Sequence, residues 1–192
     1  MSRCNKLNML FMSILVGFIG TLYAEDKRTI PLDMYLIIDG SSHFQEAKTD
    51  AIAWLNGHTV DRVLTEGDNV TIWAAGESAE IVYQGEIADS AAKRDIKDKL
   101  QSLPVGGIFA DFSGALRDLQ PRLPGTSGGR ISYTILVTAS AGGLGNALSG
   151  STQTMLRWSR SEKYEGWQAL ILAPDIGRKV GQAAQNYMNS QL

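Results

Sequence analysis

Cysteine is nearly missing from this chain: Cys4 is the only one in 192 residues. It stands ahead of a long apolar run, so the segment after that run has none. Disulfides, zinc–thiolate sites and a cysteine nucleophile are excluded there. Histidine is almost as scarce, with only His43 and His58, fifteen residues apart. That separation fits no metal-ligand spacing, and each reads as a surface or cap residue. Clusters of Lys and Arg are lacking as well, and the formal charge is −2. Neither nucleic acid nor an anionic membrane surface is therefore an expected partner. The Gly-x-Ser-x-Gly elbow of many hydrolases is missing, since its nearest approach, Gly150-Ser-Thr-Gln-Thr, lacks the second glycine. "GGLGNALSG" has neither a Gly-Lys-Ser/Thr ending nor dinucleotide-binding spacing, so it reads as a flexible loop.

One long hydrophobic run is present, and it comes first. Arg3 and Lys6 precede "MLFMSILVGFIGTLYA", which ends at Ala24 and gives way at once to "EDKR". A short basic region, an apolar stretch and a small residue form the pattern of a secretory signal peptide, with cleavage expected near Ala24. The competing reading is an uncleaved anchor, because Leu7 to Ala24 approaches the ~17–20 residues of a membrane span. Ser13, Gly17, Gly20 and Thr21 interrupt it. Cleavage leaves residues 25–192, 168 in number and the usual size of one domain. Both basic residues of the leader depart and no acidic one does, so the formal charge moves from −2 to −4. The expectation is an exported protein, periplasmic or extracellular, with no membrane insertion once the leader is gone.

Beyond the leader, strand and helix patterns alternate. "DMYLIID" (33–39) is short and apolar on both faces, as in a strand inside a parallel sheet. Phe44, Ala47, Ala51, Ile52 and Leu55 then recur at helical spacing, predicting a helix from Gln45 to Asn56; Asn56-Gly57 interrupts it, and Val60, Val63 and Leu64 allow another turn or two before Glu66-Gly67-Asp68. Val70–Ala75 and Glu80–Gln84 flank a Gly-Glu-Ser turn and predict a hairpin. Asp89 to Leu103 reads as a surface helix stopped by Pro104. "VGGIFA" leads into a helix with Phe112, Ala115, Leu116 and Leu119 on one face. "ISYTILVTAS" and "WQALILA" are further apolar strands, with a short helix expected at Ser151–Arg160 and another from Gly177 to Met188. The prediction is a single three-layer α/β/α domain, doubly wound, with a mainly parallel sheet and one antiparallel edge strand. Of the four tryptophans, Trp54, Trp73 and Trp167 are expected in or against the core. The same packing is the default for Trp158, which, beside Arg157 and near Arg160, is also the best candidate of the four for an exposed protein-binding anchor.

Ligands of open α/β sheets sit beyond the carboxyl ends of the strands. Three loops qualify: Asp39–His43, Gly106–Ser113 and Thr138–Gly145. "LIIDGSS", the hairpin "EGDNVTIWAAGESAEIVYQG", "GGIFADFSGALRDL" and "YTILVTAS" follow one another in an order that resembles the von Willebrand factor A domain across essentially the whole mature chain. The resemblance implies a protein-binding module without enzymatic activity. It also implies a metal-ion-dependent adhesion site built by the three loops, reading Asp-x-Ser-x-Ser, then Thr, then Asp. Mg²⁺ prefers an octahedron of oxygens, and such groups hold it lightly with one position left for a partner's acidic group.

Here Asp39 and Ser41 match, whereas His43, Ala110 and Ala139 stand at the other three positions. The candidate metal ligands are Asp39 and Ser41, with Asp111 as a substitute carboxylate and Mg²⁺ as the ion. The competing expectation is that Asp39 and Ser41 only shape their loop and Asp111 caps a helix. The leading expectation for function is an exported module with a degenerate site whose partner is another protein. Two alternatives stay open: a divergent hydrolase using Asp39, Ser41 and His43, and a structural subunit with an idle crevice.

Overall fold

The computed structural model describes residues 28–123, 129–139, 154–155, 157–158, 161–164 and 167–173. Strand β1 (Leu32–Asp39) is buried along its entire length. It pairs in parallel with β2 (Asn69–Ala75) on one side and with β4 (Ile131–Val137) on the other. A strand with a neighbour at each edge and helices over both faces has no polar environment along its middle, which is why Met34–Ile38 is unbroken apolar text. Strand β3 (Ala79–Glu86) pairs antiparallel with β2, and β5 (Trp167–Leu172) pairs parallel with β4. The order β3-β2-β1-β4-β5 makes β1 the point from which the chain winds first one way and then the other.

The two-residue period of the strands divides the interior in two. Met34, Leu36 and Ile38 of β1, with Val70 and Ile72 of β2, face one side. There they meet α1 (Lys48–Trp54) and α2 (Ser90–Gln101), through Ala51, Ile52, Ile96 and Leu100. Tyr35 and Ile37, with Trp73, face the other side and meet α3 (Phe112–Leu119) through Phe112, Ala115, Leu116 and Leu119. Leu36 and Ile37 are fully buried, each contributing about 1.5–3 kcal/mol by leaving water. Asp89 caps α2 by accepting from the amides of Ala91 and Ala92.

The first helical segment departs from expectation. A 3₁₀ turn spans Ser42–Phe44, α1 begins only at Lys48, and the further turn expected after Asn56-Gly57 follows without an interruption. The helix widens into a π turn over Leu55–Val60, in which the amide of Asp61 donates to the carbonyl of Asn56 at 2.9 Å. Leu55 and Val60, five apart, are both fully buried. Bonds from residue i to i+5 turn that spacing toward one face.

Two further expectations are corrected. Trp158 follows the default for tryptophan and is no exposed anchor: it is buried against Tyr164 and Trp167, with ring centroids 5.6 Å and 5.9 Å away. Three aromatic rings satisfy one another there and close the second core. Strand β5 is as apolar as β1 in sequence, yet Gln168, Ala169 and Leu170 are exposed; β5 is the last strand of the described sheet. The leader, the glycine-rich loop of 142–150, most of the Ser151–Arg160 helix and the Gly177–Met188 helix lie outside the described residues.

Ion pairs close the amino-terminal end of the strands. Arg130 Nε meets Asp33 at 2.7 Å, and buried Asp68 accepts from the amide of Leu32 at 2.8 Å and from Arg28 at 2.9 Å. Tyr35 donates to the carbonyl of Arg122 at 2.9 Å. Burial, helped by the charge of Asp33, pushes its phenol up to about 12. The opposite end of the sheet is left to the loops.

Candidate functional site

Backbone hydrogen bonds draw three segments together where the strands end. The amide of Gly40 donates to Ala75 O at 2.8 Å, continuing the β1–β2 ladder past Asp39. Gly40 O in turn accepts from the amides of Gly106 and Gly107 at 3.0 and 3.2 Å, and the amide of Ser42 donates to Gly107 O at 2.8 Å. Ser41 and Gly107 thus form a parallel bridge. The amide of Asp111 donates to Gly76 O at 2.8 Å, tying the second loop to the β2–β3 turn. A Cβ on Gly40 would lie 2.9 Å from the nitrogen of Gly76 and 3.0 Å from its Cα, so the approach of the two backbones requires glycine.

Asp39 is 5% exposed, and each of its carboxylate oxygens has a donor. Oδ1 accepts from the amide of Ser41 at 2.8 Å, the local bond by which aspartate shapes a turn. Oδ2 accepts from the hydroxyl of Thr138 at 2.9 Å, across 99 residues of sequence. Thr138 is itself held by its amide, which donates to Leu172 O at 3.0 Å. The carboxylate therefore fastens the loop after β1 to the end of β4. Ser41 is buried beside it and meets Asp39 through its backbone amide.

Asp111 caps α3: its Oδ1 accepts from the amide of Gly114 at 2.8 Å. A Cβ on Gly114 would fall 2.0 Å from Asp111 Oδ2, so the carboxylate lies folded over the first turn of its own helix. Ala110 and Ala139 pack against the second and the first core respectively. His43 is exposed within the 3₁₀ turn, and among the described residues its ring shares no hydrogen bond with Ser41 or Asp39. His58 lies elsewhere, stacked on Trp54 with 4.9 Å between ring centroids. Among the described residues no group of three or more His, Cys, Asp or Glu is placed to hold a metal ion. Of the third loop only Thr138 and Ala139 are described.

Sequence reasoning missed three parts of this site. Thr138 was legible only as the residue before Ala139. The β2–β3 turn and the start of β3, with Glu77 and Glu80 exposed, enter the crevice: with Gly76, Pro104 and Gly107 they line a cleft of about 460 Å³. Ile108 and Phe109 are 77% and 56% exposed, the two most exposed large apolar side chains among the described residues. Their signal in the sequence was two large apolar residues in a glycine loop, outside any periodic pattern.

No protein-family model and no curated protein matches the chain. Solved structures do. Proximal thread matrix protein 1 from the mussel byssus aligns at a TM-score of 0.53 with 15% identity, covering 75% of this chain and 37% of that one. The ArnB paralog VWA2 from Sulfolobus acidocaldarius aligns at 0.50 with 14% identity, covering 75% and 35%. A von Willebrand factor type A protein from Catenulispora acidiphila aligns at 0.45 with 20% identity, covering 74% and 32%. The chain thus spans about a third of the length of each. At such identities the likeness is one of fold, and the fold is von Willebrand A-like.

Proposed function

We propose that this von Willebrand A-like fold is an exported protein-binding module whose crevice engages another protein without a bridging ion. The observation that carries the reading is the engagement of the carboxylates. Asp39 uses both oxygens to hold its loop to β4, and Asp111 is turned back onto its own helix. Alanine stands at positions 110 and 139, where the family's hydroxyl and second carboxylate belong. The described residues do not fit Mg²⁺, because an octahedral cation that gives up water reluctantly needs several convergent oxygens. The signal-peptide pattern of residues 1–24 supports export, and the three-sided crevice with its exposed apolar rim supports contact with a protein. A hydrolase reading finds less support, since the carboxylate meets the amide of Ser41 and His43 stands apart.

Thermal melting of the chain with excess Mg²⁺, Mn²⁺ or EDTA tests this. An ion bound only by the folded state, at a hundredfold excess over its dissociation constant, adds about 2.7 kcal/mol. For a domain of this size that is a shift of roughly 5–11 °C. The expected result is no shift with any ion. An upshift with Mg²⁺ or Mn²⁺ that disappears in Asp39→Ala refutes the ion-free crevice and restores an ion-bridged one.

A further inference from the structure

Resting on that ion-free reading, we infer that the crevice takes a basic segment of its protein partner, one carrying a lysine or arginine beside a large apolar side chain. The charge requirement is the reverse of an ion-bridged site, where the partner supplies an acid.

The apolar half of the surface is Ile108 and Phe109. They project from a loop whose backbone is held at both ends, by the bonds of Gly106 and Gly107 to Gly40 and of Asp111 to Gly76. A side chain presented on a pinned backbone loses little freedom on binding, so most of its burial shows as affinity. An exposed aromatic beside a branched apolar residue is costly to leave in water and suits the centre of an interface.

The polar half is the cleft that begins at Gly107. Its volume of about 460 Å³ is room for a long side chain, and its charged lining groups are Glu77 and Glu80, with no Lys or Arg. Both carboxylates are exposed, and among the described residues neither forms an ion pair. Ser78 Oγ donates to Glu80 Oε1 at 3.5 Å, which leaves the rest of that carboxylate facing solvent. Two like charges three residues apart, Glu77 on the β2–β3 turn and Glu80 at the start of β3, attract a cation and repel an acid, and such complementarity governs partner choice and encounter rate. A guanidinium or ammonium seated between them, with an adjacent apolar residue on Phe109, satisfies both halves of the surface at once.

The test is selection of phage-displayed random peptides on the purified full chain, followed by anisotropy titration of the enriched peptides. Expected enrichment is for Lys or Arg adjoining Trp, Phe, Leu or Ile. Affinity should fall about tenfold or more in Phe109→Ser and in the Glu77→Gln/Glu80→Gln double variant, and should weaken with salt. Because these residues are exposed, the melting temperature of each variant should match the parent, which separates lost binding from lost fold. Acidic peptides that need Mg²⁺ would overturn this inference together with the ion-free crevice. Basic peptides indifferent to both variants, neutral apolar peptides indifferent to the glutamate changes, or no enrichment at all would overturn the inference alone.

Discussion

Thr138→Val removes one hydroxyl and keeps the shape of the side chain, so it isolates the bond from Thr138 to Asp39 Oδ2. Asp39 is 5% exposed and Thr138 4%, so water cannot readily replace the lost donor. A hydrogen bond to an ionised group is worth about 1.5–3 kcal/mol, and a buried charged acceptor left short of a donor lies at the upper part of that range. Thr138→Val should therefore destabilise the fold by about 2–3 kcal/mol. Asp39→Ala removes the bonds to both Ser41 and Thr138 and should cost at least as much. Because the two residues touch, the losses should not add: the double variant should recover about 1.5–3 kcal/mol of their sum. Urea denaturation of the parent, both single variants and the double variant measures this cycle. A coupling below about 0.5 kcal/mol, the scatter of independent sites, would show that Asp39 is not committed to Thr138. The structural role given to its carboxylate would then fail, and with it the main support for an ion-free crevice.

Two alanine substitutions of glycine should diverge in sign. Gly40→Ala drives a Cβ to 2.9 Å from the backbone of Gly76 and should cost about 1–3 kcal/mol, whereas Gly57→Ala meets nothing within 4 Å and should gain about 0.5–1 kcal/mol in its helical turn. Equal effects in denaturation would contradict the close approach of the two loops. Tyr35 sets an alkaline limit. Its folded phenol is raised to about 12 against about 10 in the unfolded chain, so its contribution is complete below pH 10 and is lost as pH climbs toward 12. Stability measured across that window should fall in the parent and fall less in Tyr35→Phe; parallel curves would refute the assignment. Truncating buried Trp158 to alanine should cost about 3–5 kcal/mol, and a near-neutral result would return it to the surface.

The alternation of strand and helix, the central place of β1 and the antiparallel edge at β3 were legible in the sequence. Hydrophobic period is a local property, and a strand buried on two faces has to be apolar on two faces. Asp111 as a helix cap was equally legible, because capping is settled within four residues. What needed the tertiary structure was every decision made by a distant partner. The carboxylate of Asp39 is claimed by Thr138, 99 positions later, and Gly40 is demanded by a backbone that arrives with the β2–β3 turn. Trp158 went inward because Tyr164 and Trp167 were there to receive it, and β5 lies at the rim although it is as apolar as β1. Ile108 and Phe109 stay in water because their loop is fastened across the crevice at both ends. Composition states what a residue prefers to touch. Only the folded chain determines which atoms are within reach.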